Sequence, residues 1–333
     1  GFGLQLAVNS VSILNQIGFR NLSKSETYNP TKLDFYSNED KICDLDLTQF
    51  NSETGKYTTL KRSSLIKFLK EKLFSNLIRF NKTIESVEQN QDILKLKFKD
   101  GAIEEVDYLI VSDGLFSHTK SIIEKKSFKP NYYGAVAVRT QIKAKDVTEF
   151  KTENISLFMS SKAHLVSYQV NDNGDVNVVC ILRKKPNEKK SIEKLLSEKF
   201  VNKNKHLLSL FKGGIKSWSV YTSSKPVKST LNNVFYIGDA FYAFPPTLAQ
   251  GASQSIESAK ELYDLLIDNK QNIGNIYFEK RLKKIIMINS RSRLNYFVFH
   301  ISNTILKTFR NKFLKHLIKS KSFIKRYLGK IYN

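Results

Sequence analysis

Acidic residues are missing from the end of this chain: residues 281–333 hold 14 Lys and Arg and no Asp or Glu. Cysteine is nearly missing as well. Cys43 and Cys180 alone exclude a disulfide scaffold and a Cys-rich zinc site. No run of 18 apolar residues occurs, so no segment is expected to span a bilayer. No secretory leader is expected before the first folded segment, and neither an internal repeat nor a low-complexity linker is found. What is present is ordinary for a folded chain. Of 333 residues, 41% are hydrophobic and 12% aromatic, enough for one large domain or two smaller ones with a sizeable core. The net charge of +23 invites a polyanion, but more than half of the excess lies after residue 280. Lys outnumbers Arg 44 to 10, whereas proteins that grip phosphates or bases with defined geometry lean on Arg. No zinc-finger, RRM or helix-turn-helix signature is found, and no nucleic-acid partner is expected.

Patterning suggests the order of elements. Leu4 to Ile17 reads as an amphipathic helix running into Gly18. Residues 33–58 read as strands with polar turns. Leu60 to Leu77 reads as a second helix with Leu65, Phe68, Leu69 and Leu73 on one face. Ile84 to Lys99 and Ile103 to Val111 read as strands joined by Asp100-Gly101, a hairpin signal. From Tyr133 to Val220 the pattern is mostly β, interrupted by a Lys/Glu helix near 187–201. A short buried strand follows at Val234–Ile237, then Gly238-Asp239, a Pro-containing loop, a helix near 252–268, and basic helices to the end. The expected fold class is α/β with an α+β insert: an α/β domain interrupted by a separate β-sheet. The expected boundaries are 1–132 with 222–280, 133–221, and 281–333, with 33–58 free to join the inserted sheet.

Tyr236 to Ala259 carries most of the chemistry. A buried strand ends at Gly238, where a missing side chain lets a ligand approach the backbone. Asp239 follows at the carboxyl end of that strand, where open α/β sheets bind ligands. Its carboxylate suits sugar-type hydroxyls. Pro245-Pro246 stiffens the next loop. Gly251-Ala252 then opens a helix whose free N–H groups favour negative charge. A plain strand–turn–helix with an Asx turn is the blander alternative.

This segment resembles the second FAD-binding motif of the flavoprotein aromatic hydroxylases, the single-component monooxygenases with the para-hydroxybenzoate hydroxylase fold, and in particular the salicylate-hydroxylase-like branch. The resemblance implies that Asp239 binds the FAD ribityl chain, Pro245-Pro246 flanks the flavin ring, and Gly251-Ala252 faces its N1/O2 edge. Tyr242, Ala249 and Ser253 depart from the family's His, Gly and Asn. Val106 to Lys120 is similar to the family's Asp-Gly motif. It implies contacts from Asp113 and Gly114 to FAD and the nicotinamide donor, with Lys120 in place of an Arg and a weaker grip there. Arg62, at the start of a helix, matches an Arg that contacts FAD, or is simply a solvated helix-end charge. Gln5 and Asn9 fit the segment that lines the flavin. Tyr133–Arg139 and His164–Tyr168 resemble strands of the substrate-side sheet. Arg291-Ser292-Arg293, Phe299-His300 and Arg310-Asn311 resemble its C-terminal helices.

The family's opening strand–Gly-x-Gly-x-x-Gly–helix is not found, and Gly1-Phe2-Gly3 does not continue as one. The resemblance thus implies a Rossmann-like FAD/NAD(P)-binding domain lacking its first βαβ unit of roughly 30 residues, with weakened FAD affinity if the chain does start here.

The resemblance implies an FAD-dependent monooxygenase that uses NAD(P)H and dioxygen, through a flavin C4a-hydroperoxide, to hydroxylate an aromatic or quinone-precursor ring. Tyr242, His164 and Arg139 are the candidate catalytic residues, and His164 reads first as a structural strand histidine. No metal is expected. Alternatives are an FAD-dependent reductase or dehydrogenase of an isoprenoid substrate, and an inactive fragment whose basic tail binds anionic membranes. In that tail Ile301, Ile305, Leu306, Phe309, Phe313, Leu314, Leu317 and Ile318 fall on one helical face and Lys307, Arg310, Lys312, Lys315 and Lys319 on the other. Packing of the apolar face on the FAD domain is one reading; rest on anionic lipid is the other. The expected location is cytoplasmic, with peripheral contact at the inner membrane surface. Oligomeric state is not legible.

Overall fold

The computed structural model describes residues 2–199, 202–211, 213–268 and 271–332; Gly1 of the opening Gly-Phe-Gly and residues 200–201 of the expected Lys/Glu helix lie outside them. The chain begins as a strand, β1 (Gly3–Leu6), and turns at Ala7 into helix α1 (Val8–Asn15). This corrects the single helix expected over 4–17. Strand pairing wins locally because Gly3 N donates to Asn177 Oδ1 at 2.8 Å and β1 meets residues 58–61 in antiparallel register.

Next come β2 (Thr27–Tyr28), β3 (Lys32–Ser37), β4 (Asp40–Asp46), β5 (Thr58–Lys61) and helix α2 (Arg62–Lys70). The helix expected over 60–77 is thus shortened at both ends. Leu60 is a buried partner of β1, and Leu73 and Leu77 are exposed beyond the helix. The two strands expected over 84–111 are four: β6 (Ile84–Asn90), β7 (Ile93–Phe98), β8 (Ile103–Val106) and β9 (Leu109–Val111). A turn at Gln91, with φ of +53°, breaks the first, and Asp100-Gly101 joins β7 to β8.

After α3 (His118–Ile123) come β10 (Asn131–Lys143), β11 (Ile155–Met159), β12 (Ala163–Gln169), β13 (Asp175–Arg183), α4 (Ile192–Lys199) and β14 (Lys216–Thr222). These strands, with β3 and β4, form a seven-stranded sheet in the order β14-β10-β13-β12-β11-β3-β4, antiparallel except for the β11–β3 pair.

Side chains alternate across this sheet, so register sorts them by face. Val136, Val138, Val178, Cys180 and Leu182 point one way and are covered by Leu195, Leu196, Leu207 and Leu210. Ala135, Ala137, Arg139, Asn177, Ile181 and Trp218 share the other face, because Ala137 stands opposite Ile181 and Trp218, and Arg139 opposite Val179.

The chain then forms β15 (Val234–Tyr236), parallel to β9, and helices α5 (Gly238–Phe241), α6 (Gly251–Ile267), α7 (Ile273–Phe299), α8 (Thr304–Lys319) and α9 (Lys321–Ile324). Phe35, Leu157, Met159 and Tyr168 of the sheet meet Ile288, Phe299, Ile324 and Ile331 of these helices in one core. α6 and α7 are joined by a buried charge network. Arg281, 2% exposed, donates to Glu257, Glu261 and Gln254, while Asn9 and Lys284 also reach Glu257. A buried guanidinium requires such partners. Among the described residues, no helix is long and apolar enough to cross a membrane.

Candidate functional site

Two strand–turn–helix units meet where β9 and β15 end side by side. After β15, Gly238 adopts φ of +56°, and a Cβ there would sit 2.9 Å from Ser255 Oγ on α6. Only glycine fits both the left-handed backbone and the close approach. Gly238 N also donates to Ser258 Oγ at 3.3 Å, which fixes the turn on α6. After β9, Gly114 adopts φ of +87° with nothing within 4 Å of where a Cβ would stand.

The turns hold out two acidic side chains. Asp113 accepts from Thr119 N at 3.2 Å and so helps open α3, while the residue itself remains exposed. Asp239 is exposed and has no hydrogen-bond partner among the described residues, yet protein crowds it enough to raise its pKa by desolvation, partly offset by the charge of Arg62. A carboxylate that is both reachable and desolvated lies on the wall of a crevice. Arg62, exposed at the start of α2, faces the same crevice and likewise has no side-chain partner among the described residues.

Opposite lies the sheet face that carries Arg139. Its guanidinium stands 5.2 Å from the centre of the Trp218 ring and 5.9 Å from that of Phe2, and Nη1 donates to Gly3 O at 3.3 Å. Burial lowers its pKa, and Arg62 is close enough to lower it further, while the Tyr168 phenol raises it. Arg139 Nε and Asn177 Nδ2 are buried without a partner among the described residues. Trp218 and Asn177 carry no motif; β10–β14 and β10–β13 register alone brings them beside Arg139. Trp218, the sole tryptophan, was the available signal.

The Pro loop is anchored from behind. Thr247 donates to Ser292 O at 2.6 Å, Asn295 donates to Thr247 O at 3.3 Å, and Phe244 and Leu248 pack into the core. Pro245 is buried and Pro246 exposed. Ala249 adopts φ of +53°, a conformation that a glycine accepts without strain. Gly251, exposed, starts α6, and no side chain caps that end, so its first N–H groups remain available. Ser253, buried, instead accepts from Ala7 N at 3.1 Å and meets Ser10 Oγ at 2.9 Å, locking α6 to α1.

The other sequence-derived candidates are placed as follows. Gln5 Oε1 accepts from the Tyr57 hydroxyl at 2.8 Å, and Asn9 joins the Glu257 network. Lys120 is not free to grip a ligand: it is buried and Nζ donates to Ala240 O at 2.7 Å. Tyr242 is buried against Phe244. His164 is buried 3.2 Å from His300, whose Nδ1–H donates to Tyr296 O at 2.7 Å. That bond leaves His300 Nε2 as an acceptor, so His164 Nδ1–H donates to it. A cavity of about 360 Å³ lies away from these residues, walled by Tyr108, Phe235, Asn272 and Tyr277, and contains none of them.

Gly238 held against α6, an unpartnered carboxylate, an unpartnered guanidinium and an uncapped helix start fit a flavin dinucleotide, and together with the interleaved sheet they define a two-part flavoprotein. The chain belongs to the FAD binding domain family, which it matches over residues 3–272. It is 23% identical to 3-amino-4-hydroxybenzoate 2-monooxygenase PtnB3 of Streptomyces platensis, over 90% of this chain and 79% of that one. It is 22% identical to salicylate hydroxylase of Pseudomonas putida, over 66% of this chain and 56% of that one. The fold matches Klebsiella pneumoniae HpxO complexed with FAD and uric acid at a TM-score of 0.85 and 14% identity, covering 100% of this chain and 87% of that one. The chain is an FAD-dependent oxidoreductase of the aromatic-monooxygenase class.

Proposed function

We propose that this protein hydroxylates an activated aromatic or quinone-precursor ring with NAD(P)H and dioxygen, in the crevice between the β15–α6 turn and the Arg139 face of the seven-stranded sheet. The observation that carries the reading is Asp239 facing Arg62: opposite charges in one crevice, neither side chain with a hydrogen-bond partner among the described residues. Residues 1–132 with 222–280 would form the FAD-binding part, 133–221 with strands of 33–58 the substrate sheet, and 281–333 the basic C-terminal helices.

Bound FAD supplies the hydride and dioxygen chemistry. Asp239 would accept from hydroxyls of the bound cofactor, and Arg62 would donate to its oxygens. Gly114, with open space where a side chain would stand, would let the cofactor approach the backbone, whereas Gly238 gives that space to Ser255 of α6; the exposed Asp113 would add a second acceptor. The first N–H groups of α6, at Gly251 and Ala252, would offer donors to negative charge on the bound flavin. Pro245-Pro246, on the loop that Thr247 ties to Ser292 and Asn295, would wall one side. Arg139, clamped between Phe2 and Trp218, presents a fixed cation to an anionic ring oxygen. His164, 1% exposed and packed against His300, Tyr296 and Phe299, serves the core rather than the crevice.

The test is NAD(P)H oxidation by the FAD-loaded protein. Oxidation stimulated by an aromatic substrate, with oxygen from labelled dioxygen in the product, is expected. Hydrogen peroxide as the sole product with every phenol tried overturns hydroxylation. Substrate reduction without dioxygen uptake supports an isoprenoid reductase instead.

We place this activity in the cytoplasm, at the inner membrane surface. NAD(P)H is an intracellular reductant, and the C-terminal helices carry cations without acids.

A further inference from the structure

Helix α8 packs with its apolar stripe outward. The surface it turns to the protein is formed by Arg310, 6% exposed, with Leu314 and Ile318. Arg310 donates to Ser37 Oγ at 2.8 Å, to Val298 O at 3.3 Å and to Asn311 Oδ1. The opposite surface shows Ile305, Leu306, Phe309 and Phe313, exposed by 67%, 53%, 66% and 62%. This corrects the division expected from the pattern, in which all the apolar residues shared one face against Arg310. At about 100° per residue the four exposed residues fall within one arc that also takes in His316, and Lys312, Lys319 and Lys315 fill the arc beside it. At the adjoining end of α7, Leu294 and Phe297 are exposed as well.

Two phenylalanines, a leucine and an isoleucine side by side on one helix are a surface that something covers. Charge selects the occupant. Residues 281–333 contain no acid, so a second copy laid on this face would oppose cation to cation. An anionic bilayer would not: it accepts an apolar stripe between its headgroups and pairs its charge with the flanking lysines.

We propose that α8 is a membrane-docking helix that inserts Ile305, Leu306, Phe309 and Phe313 among anionic lipid headgroups, with Lys312, Lys315 and Lys319 as its electrostatic rim. The assignment rests on the membrane placement proposed above and is independent of the ring-hydroxylating reading. Docked this way, the enzyme would draw a lipophilic ring substrate from the bilayer.

The test is flotation of the full chain with phosphatidylcholine vesicles, with and without phosphatidylserine. Wild type should float with the anionic vesicles and stay behind with neutral ones. Phe309→Ser with Phe313→Ser, both at exposed positions, should lower the bound fraction about tenfold while circular dichroism is unchanged. Lys312→Glu with Lys319→Glu should do the same and lose the preference for anionic lipid. Wild type that fails to float overturns both the docking helix and the membrane placement. Wild type that floats together with undiminished variants overturns the docking helix alone. A wild-type dimer that the Phe309→Ser, Phe313→Ser variant dissociates assigns the face to a second copy and also overturns the proposal. Aromatic-dependent NAD(P)H oxidation in detergent-free buffer reports separately on the chemistry and should be the same in all variants.

Discussion

Lys120 Nζ donates to the carbonyl oxygen of Ala240 across 2.7 Å of buried space, tying the helix after the Asp113-Gly114 turn to the helix after the Gly238-Asp239 turn. One ammonium thereby sets the distance between the two acidic turns of the crevice. Desolvation lowers its pKa, and Asp113 and Glu124 act in the opposite direction. Lys120→Met should leave Ala240 O without its donor and destabilise the protein by about 1–3 kcal/mol. FAD affinity should fall with it, because Asp113 and Asp239 lose their common anchor. Urea denaturation and flavin fluorescence titration check the two effects separately.

Ala249 and Gly238 both occupy the left-handed region, with φ of +53° and +56°. They should respond oppositely to exchange. Ala249→Gly relieves strain and should stabilise the protein by about 1 kcal/mol, less a small entropic cost. Gly238→Ala adds strain and drives a Cβ to 2.9 Å from Ser255 Oγ. It should destabilise by about 1–3 kcal/mol and weaken FAD binding. Thermal melts of the two variants against wild type test the pair.

Among the described residues, Asp239 and Arg62 carry no side-chain hydrogen bond that their removal would break. Asp239→Ala and Arg62→Ala should therefore leave the melting temperature nearly unchanged. Each should lower FAD affinity about tenfold or more, the worth of a charge-assisted hydrogen bond in a crevice. A large fall in melting temperature with undiminished FAD affinity would remove both from the binding site.

The His164–His300 pair makes stability depend on pH. Burial holds His164 well below its usual pKa of 6.5, with His300 adding to the effect, and burial pushes His300 down to about 4 against the bond to Tyr296 O. Between these folded values and the unfolded 6.5, the unfolded chain binds more protons. The contribution is complete above about pH 6.5 and is lost as pH falls toward 4, with His300 alone worth about 3 kcal/mol. Denaturation midpoints should drop over that window in wild type and stay flat in a His164→Leu, His300→Phe variant.

Local sequence was enough for the parts that backbone chemistry decides. Gly238-Asp239 as a strand-end turn, Gly251 as a helix start and Asp100-Gly101 as a hairpin turn were legible because glycine's backbone freedom has the same meaning in any surroundings. The pattern also reached the family. Tertiary structure decided the rest. Leu4–Leu6 became strand because β5 and Asn177 offered it partners, against its own helical periodicity. Arg139 and Trp218 were assembled by strand register, and Phe2 joined them where Gly3 bonds to Asn177 and Arg139, between segments far apart in sequence. Lys120 was taken out of the crevice by a carbonyl that lies 120 positions away. The same holds for the basic tail: periodicity located an apolar stripe on α8, but only packing, through the bonds of buried Arg310 to Ser37 and Val298, determined that the stripe faces outward.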